Sequence, residues 1–316
     1  MELTTLLNRC YRFKGFVYGK VQWAKASPNT IEVEVIPRRG SKPYCAGCGK
    51  RRAGYDRLPE RSFEFIPFWG FAVFFRYAKG SVAMPNRRED LIQFYELLVE
   101  LDHKTGGPRR LSDCNGRQQW PLRGVYFFME PGEARSDSGL GWRVVRVGTH
   151  GLTQGSRSTL WKRLAQHRGA AASGGGNHRG SIFRLLVGTT IVDGPSDCPT
   201  WGQGKTAKRD TRLCEQRFER EVSSIIGGMP FLFLDIDDKP APESVRGVIE
   251  KNAIALLSNF KRPPLDPPSS VWRGHRCMKE KVQQSGLWNQ DYVNDNYNPA
   301  FLQTFKTLID AMEPWV

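Results

Sequence analysis

The alternation of apolar and polar positions changes character along the chain. IEVEVIP (31–37) alternates apolar and acidic residues, the period of a strand with one buried face. SFEFIPFWGFAVFFRY (62–77) reads as two short aromatic strands broken at Pro67 and Gly70. Residues 1–80 are therefore expected to be a β-rich module. NRREDLIQFYELLVEL (86–101) shifts to helical spacing. Its apolar positions are Leu91, Ile92, Phe94, Tyr95, Leu97 and Leu98, with Asn86 as N-cap and Glu89 three residues on. KTGGPRRLSDCNGRQQ (104–119) is a linker by composition. Helix and linker together fill 81–120.

From residue 121 the pattern predicts a strand, GVYFFME (124–130), a hairpin loop (132–139) and a returning strand, WRVVRVG (142–148). Ser158-Thr159 caps a helix, TLWKRLAQH, and GAAASGGGNHRG (169–180) is a glycine-rich loop. SIFRLLVGTTI (181–191) fits strand or helix. LCEQRFEREVSSII (213–226) is a charged amphipathic helix closed by Gly227-Gly228. PFLFLDID (230–237) is a buried strand, and 243–259 is a helix stopped before Pro263-Pro264. A last amphipathic helix is expected near 299–312, in a C-terminal extension spanning 263–316. Two short strands joined by a hairpin, then helices around a further strand, predict an α+β fold with a small antiparallel sheet flanked by helices over 121–262.

Composition narrows the possible partners. The 316 residues carry 47 Lys plus Arg against 32 Asp plus Glu, a formal net charge of +15. Residues 1–80 hold 15 basic and 6 acidic residues, and residues 121–200 hold 10 and 5. The remaining stretches are close to neutral. A basic surface of this kind, interleaved with aromatics, suits a phosphate backbone, which points to DNA as partner. No apolar run is long enough to span a membrane as a helix, and the start, MELTTLLNRCYRFKG, lacks the build of a signal peptide. Seven cysteines, an odd number and mostly far apart, argue against a disulfide framework and for a reducing, cytoplasmic setting.

Four short motifs carry the chemistry. Gly124-Val125-Tyr126 lies on one strand and Arg146-Val147-Gly148 on the next. Arg163 and His167 stand four apart on the following helix, hence on one face, and Glu250 lies in the helix IEKNAIALLSN. This order resembles the GIY-YIG nuclease superfamily over about residues 121–262, and the wider text is similar to a bacterial uncharacterised group within it. The resemblance implies a metal-dependent endonuclease acting on DNA. In that reading Tyr126, Arg163, His167 and Glu250 are catalytic, and Glu250 is the ligand of one Mg²⁺. His150, His178, Arg179 and Arg146 are candidate phosphate or DNA contacts. Arg146 stands where the family has a tyrosine near the attacking water, and an arginine cannot act as a base at neutral pH. Asn252 and Asn259, also on or after that helix, read more simply as cap or helix-stop residues. The alternative is a non-catalytic DNA-binding protein of mobile-element origin.

Cys45-Ala46-Gly47-Cys48 is half of a zinc-binding knuckle, since a structural zinc takes four ligands. The surrounding text, PYCAGCGKRRAGYDRLPERSFEF, resembles the amino-terminal zinc-ribbon region of an insertion-sequence transposase. That resemblance implies zinc at Cys45 and Cys48. No second CxxC follows, and a simple pair of thiols is the other reading.

Overall fold

The computed structural model describes residues 3–11, 13, 16–24, 27, 29–38, 56–57, 61–68, 70, 71–77, 80–81, 86–170, 172–192 and 197–315. Cys45 and Cys48 lie outside these residues. The chain divides into two units, Met1–Asn86 and Arg87–Val316.

The first unit has a helix, α1 (Leu3–Cys10), and six strands: β1 (Phe16–Trp23), β2 (Thr30–Pro37), β3 (Asp56–Arg57), β4 (Arg61–Phe68), β5 (Phe71–Tyr77) and β6 (Gly80–Ser81). Four of them form a sheet in the order β1-β2-β5-β4. The alternation in IEVEVIP sorts its side chains as expected. Val33 is buried with Leu7, Val73 and Phe75, with Ile31 and Val35 packed against them. Glu32 instead pairs with Arg76 at 2.7 Å and accepts from Gln22. The two aromatic strands are β4 and β5, and Gly70, at φ +83°, makes the turn between them. The pairing of β2 with β5 is parallel, so this sheet is mixed.

The second unit is built on a sheet in the order β7-β10-β8-β9, from β7 (Arg109–Arg110), β8 (Gly124–Ala134), β9 (Trp142–Gly148) and β10 (Pro230–Asp235). Every pairing in it is antiparallel. Around it lie α2 (Arg87–Thr105), α3 (Leu160–Arg168), α4 (Ile182–Gly188), α5 (Arg209–Gly228), α6 (Val245–Leu257), α7 (Glu280–Ser285) and α8 (Ala300–Ala311). The stretch 181–191, open to strand or helix in the sequence, begins as the helix α4, with Ser181 as its N-cap. The whole is α+β.

Strand β8 is buried on both faces, and its period of two divides the core. Phe127 packs against Phe94 of α2 and Phe305 of α8, at ring distances of 5.9 and 5.5 Å. Its neighbours Tyr126 and Phe128 turn the other way, toward His167 of α3 and Phe183 of α4. The segment 104–119 contributes the edge strand β7 and buries Leu111 and Cys114 in the same core. The C-terminal residues join it too, through Trp272, Trp288, Phe301 and Phe305. Arg87 closes the end of α6, donating to the carbonyls of Leu256, Leu257 and Ser258 that the helix leaves unpaired and to that of Pro263 beyond it. That helix carries Glu250.

The two motif glycines are steric requirements. A Cβ on Gly124 would drive into the Leu234 carbonyl of the neighbouring strand. A Cβ on Gly148 would drive into the ring of Tyr126, its partner across the β8–β9 ladder. By contrast, Gly228 has nothing within 4 Å of an added Cβ and ends an exposed helix turn. We therefore expect Gly124→Ala to lower unfolding free energy by about 1–3 kcal/mol, an overpacking cost with backbone on the far side. Gly228→Ala should raise it by about 0.4–1 kcal/mol through the unfolded chain. Urea denaturation of the two variants checks this, and equal effects would contradict it.

Candidate active site

The hairpin, α3 and α6 bring the motifs together. Tyr126 and His167 are both fully buried, and the phenol oxygen lies 2.8 Å from His167 Nε2. His167 Nδ1 lies 2.7 Å from the Ser181 hydroxyl, which also accepts from the Arg184 amide as the cap of α4. Arg184 in turn donates to the His167 carbonyl at 2.8 Å. Burial, and then the charges of Arg163, Arg146 and Arg184, hold the His167 pKa well below its usual range. The ring is neutral.

Directly after Gly148, the Thr149 amide donates to Glu250 Oε1 at 3.0 Å, and the Thr149 hydroxyl donates to the Gly124 carbonyl at 2.7 Å. The second motif is thus tied to the first and to α6. Glu250 is half-buried, and burial raises its pKa. The charges of Arg146 and Arg163 and the Thr149 amide act against that rise, and Asp291 adds to it.

Glu250 and Arg163 share a cleft of about 300 Å³ with Thr149, His150, Gly151, Leu152, Ser158 and Gln166. Arg163 Nη1 donates to Gln166 Oε1 and to the Gly180 carbonyl, while its Nε has no partner. His150 is only 6% exposed, and among the described residues neither ring nitrogen has a hydrogen-bond partner by geometry. Burial, then the charge of Arg246, push its pKa down to about 4; the Ser158 backbone opposes this, and the charges of Arg163 and Arg123 add to the lowering. Arg246 Nη1 donates to the His150 carbonyl and its Nε pairs with Asp238.

Arg146 is buried beside this centre without lining the cleft. It donates to the Trp288 carbonyl, leaves Nε unpartnered and sits 5.6 Å over the Phe183 ring. Its charge acts on both His167 and Glu250.

His178 and Arg179 are not brought to this cleft. The His178 amide and Nδ1 both bond Glu219 Oε1, its Nε2 accepts from the Gly202 amide, and its ring stacks on Trp201. Burial opposes ionisation of Glu219, but the His178 hydrogen bond and Arg184 outweigh it and lower its pKa. Arg179 makes a two-pronged pair with Glu215, at 2.6 and 2.8 Å, and donates to the Thr200 and Gln203 carbonyls. These two side chains brace the glycine-rich loop against α5. Asn252 and Asn259 also serve the backbone: Asn252 accepts from the Asn298 amide, and Asn259 from the Leu265 amide and Arg87.

Several residues of the centre carried no motif signal. Thr149, Gln166 and Ser181 act through backbone or side-chain positioning. The segment around Trp288 closes the open edge of β9: the Trp288 amide donates to the Val145 carbonyl, and the Asn289 side chain both accepts from and donates to Val147. Tyr292, whose φ is +64°, follows on the same segment. Only the cap at Ser181 had a local sequence signature.

An antiparallel sheet that crosses a glycine under a buried tyrosine thus receives an arginine and a carboxylate from two helices. The model of the GIY-YIG domain family matches residues 85–315, and the chain belongs to that family. No curated protein and no solved structure matches the chain. Among the described residues, no helix is long and apolar enough to cross a membrane.

The neutral His167 makes acid stability testable. Above its ordinary pKa of 6.5 the folded and unfolded forms are both neutral there and it contributes nothing. Below it the unfolded chain binds a proton that the folded one rejects, so stability falls with pH by up to about 1.4 kcal/mol per unit until the folded pKa is reached. His167→Gln should therefore lose stability less steeply than the wild type from about pH 6.5 downward, near the usual imidazole range. Parallel urea-midpoint profiles for the two proteins would refute a neutral, buried His167.

Proposed function

We propose that the chain is a divalent-metal-dependent endonuclease that hydrolyses DNA phosphodiester bonds at the cleft of Arg163 and Glu250. The observation that carries this reading is their convergence: a guanidinium from α3 and a half-buried carboxylate from α6 line one cleft. The residues fit a metal. Glu250 is a hard oxygen donor, oriented by the Thr149 amide at Oε1, and among the described residues its Oε2 makes no hydrogen bond. A Mg²⁺ ion held by Glu250, with water and phosphate oxygens completing its shell, would supply Lewis acidity and lower the pKa of a bound water.

The chain's own groups supply the rest. Arg163, in the lining of the cleft, takes the phosphate oxygens and the charge that grows on them. Arg146 adds positive charge to the same centre. Tyr126 and His167 are fully buried and do not line the cleft; Tyr126, pinned over Gly148 and hydrogen-bonded to His167, positions the two motif strands and α3, which carry the cleft. His167 fixes the phenol and does not store a proton, because burial and three arginines disfavour its charged form.

Cleavage of supercoiled plasmid with Mg²⁺ tests the reading. Wild type should nick it, and Arg163→Ala and Glu250→Gln should each slow cutting by at least about 100-fold, the scale of losing one charge-stabilising group. Cutting that survives both changes defeats the assignment. Salt-sensitive DNA binding with no metal-dependent cutting would instead favour a non-catalytic DNA-binding protein.

A further inference from the structure

Beyond residue 200 basic and acidic residues nearly cancel in number, with 16 of one and 15 of the other, but they do not cancel in place. On α5 the acids turn inward. Glu215 and Glu219 are 1% and 3% exposed, the first held by Arg179 and the second by His178 and Arg184. The cations at the start of that helix turn outward. Lys205, Lys208, Arg209 and Arg212 are all exposed, and Asp210 is the one acid in the sequence from 202 to 214. Among the described residues, none of the four cations makes an ion pair or a side-chain hydrogen bond. Further along, Arg217 pairs with Asp197, and Arg220 donates to the Ser173 carbonyl.

Helix stability does not account for this cluster. Positive charge at a helix N-terminus opposes the macrodipole, and like charges three or four residues apart repel. Lys208 is the N-cap of α5, and its side chain makes no capping bond. Arg209 and Arg212 follow in the first turn, with Arg212 four residues after Lys208. Charges that work against their own helix find their compensation outside the chain, in an anion.

The patch adjoins the cleft through two hydrogen-bonded links. Arg163, in the cleft lining, donates to the Gly180 carbonyl. Arg179, the residue before Gly180, donates through Nε to the Gln203 carbonyl at 3.0 Å. Lys205 stands two residues further on, at most about 7 Å of chain. An occupant that spans cleft and patch must be anionic and extended. DNA, with a phosphate about every 3.4 Å of axis on each strand, is both.

We propose that Lys205, Lys208, Arg209 and Arg212 form a docking surface for the backbone of duplex DNA that flanks the phosphodiester bound in the cleft. This rests on the nuclease reading for what fills the cleft. The four side chains act by charge and take no part in the chemistry. The patch therefore makes binding depend on the length of the duplex.

Binding of a duplex of about 20 base pairs and of dTMP to the full chain, with chelator present and salt varied, separates patch from cleft. Each neutralised phosphate contributes about 0.9 to the slope of log affinity against log salt. The fourfold variant Lys205→Gln, Lys208→Gln, Arg209→Gln, Arg212→Gln should flatten the duplex slope by about 2–4 and weaken duplex binding at least about tenfold at low salt. Affinity for dTMP, too short to reach the patch, should not change. The charge-keeping variant Lys205→Arg, Lys208→Arg, Arg209→Lys, Arg212→Lys should bind duplex as the wild type does. An unchanged slope in the fourfold variant refutes the patch, as does equal weakening of dTMP. The same loss in the charge-keeping variant, or no duplex binding by wild type, also refutes it. Should the fourfold variant not fold, the pair Lys205→Gln and Lys208→Gln decides, with about half the change in slope. Plasmid cutting with an unchanged slope removes the patch alone; a flattened slope in a chain that does not cut removes the nuclease reading alone.

Discussion

The contact between the Tyr126 phenol and Gly148 is the constraint on which the rest of the second unit depends. The two residues face each other across the β8–β9 ladder, and the ring occupies the space a Cβ would need. Once the phenol lies there, its hydroxyl meets His167 and fixes α3 against the sheet, which in turn sets Arg163 one turn earlier. The next residue, Thr149, bonds the Gly124 carbonyl on one side and Glu250 on the other. Four motifs that are distant in sequence therefore share one mechanical link. The glycines of the motifs are present because of close approach, not chain flexibility.

The electrostatics follow from where arginines are buried. Arg184 and Arg246 are fully buried and are balanced by Glu219 and Asp238. Among the described residues Arg146 and Arg163 make no ion pair with a carboxylate, and the charges of both act on Glu250 and His167. A centre with excess fixed positive charge keeps imidazoles neutral and suits a phosphate better than a base that must hold a proton. Part of the positive balance in residues 121–200 thus sits at the cleft. Another part is structural: Arg179 and Arg184 spend their charge on Glu215 and Glu219.

The edge of the sheet is managed by the end of the chain. Strand β9 would otherwise present unpaired amides and carbonyls, and Trp288 and Asn289 take them up. The same segment holds Arg146 through the Trp288 carbonyl, while α8 covers the other face of β8 through Phe305. The family match to residue 315 agrees with this continuity.

Much of this was legible from residue order. Local periodicity placed β8, β9, β10, α5, α6 and α8, because each buries a face whose spacing repeats within the element. The order of Tyr126, Gly148, Arg163 and Glu250 on those elements carried a family resemblance, and it was the resemblance, not periodicity, that implied a common centre. The choice of helix for 182–188 was not legible, because a short apolar run satisfies either period and is settled by what packs on Phe183 and Leu186. His178 and Arg179 looked like phosphate contacts for the same reason that any basic pair in a glycine-rich loop does. Glu215 and Glu219, one turn apart on α5, claim them instead, and a pairing between a loop and a distant helix leaves no local trace. The closing of β9 by Trp288 and Asn289 is likewise a long-range contact without periodicity. Local spacing specifies which face of an element is buried; which partner comes to that face depends on contacts between distant segments, and those exist only once the chain has packed.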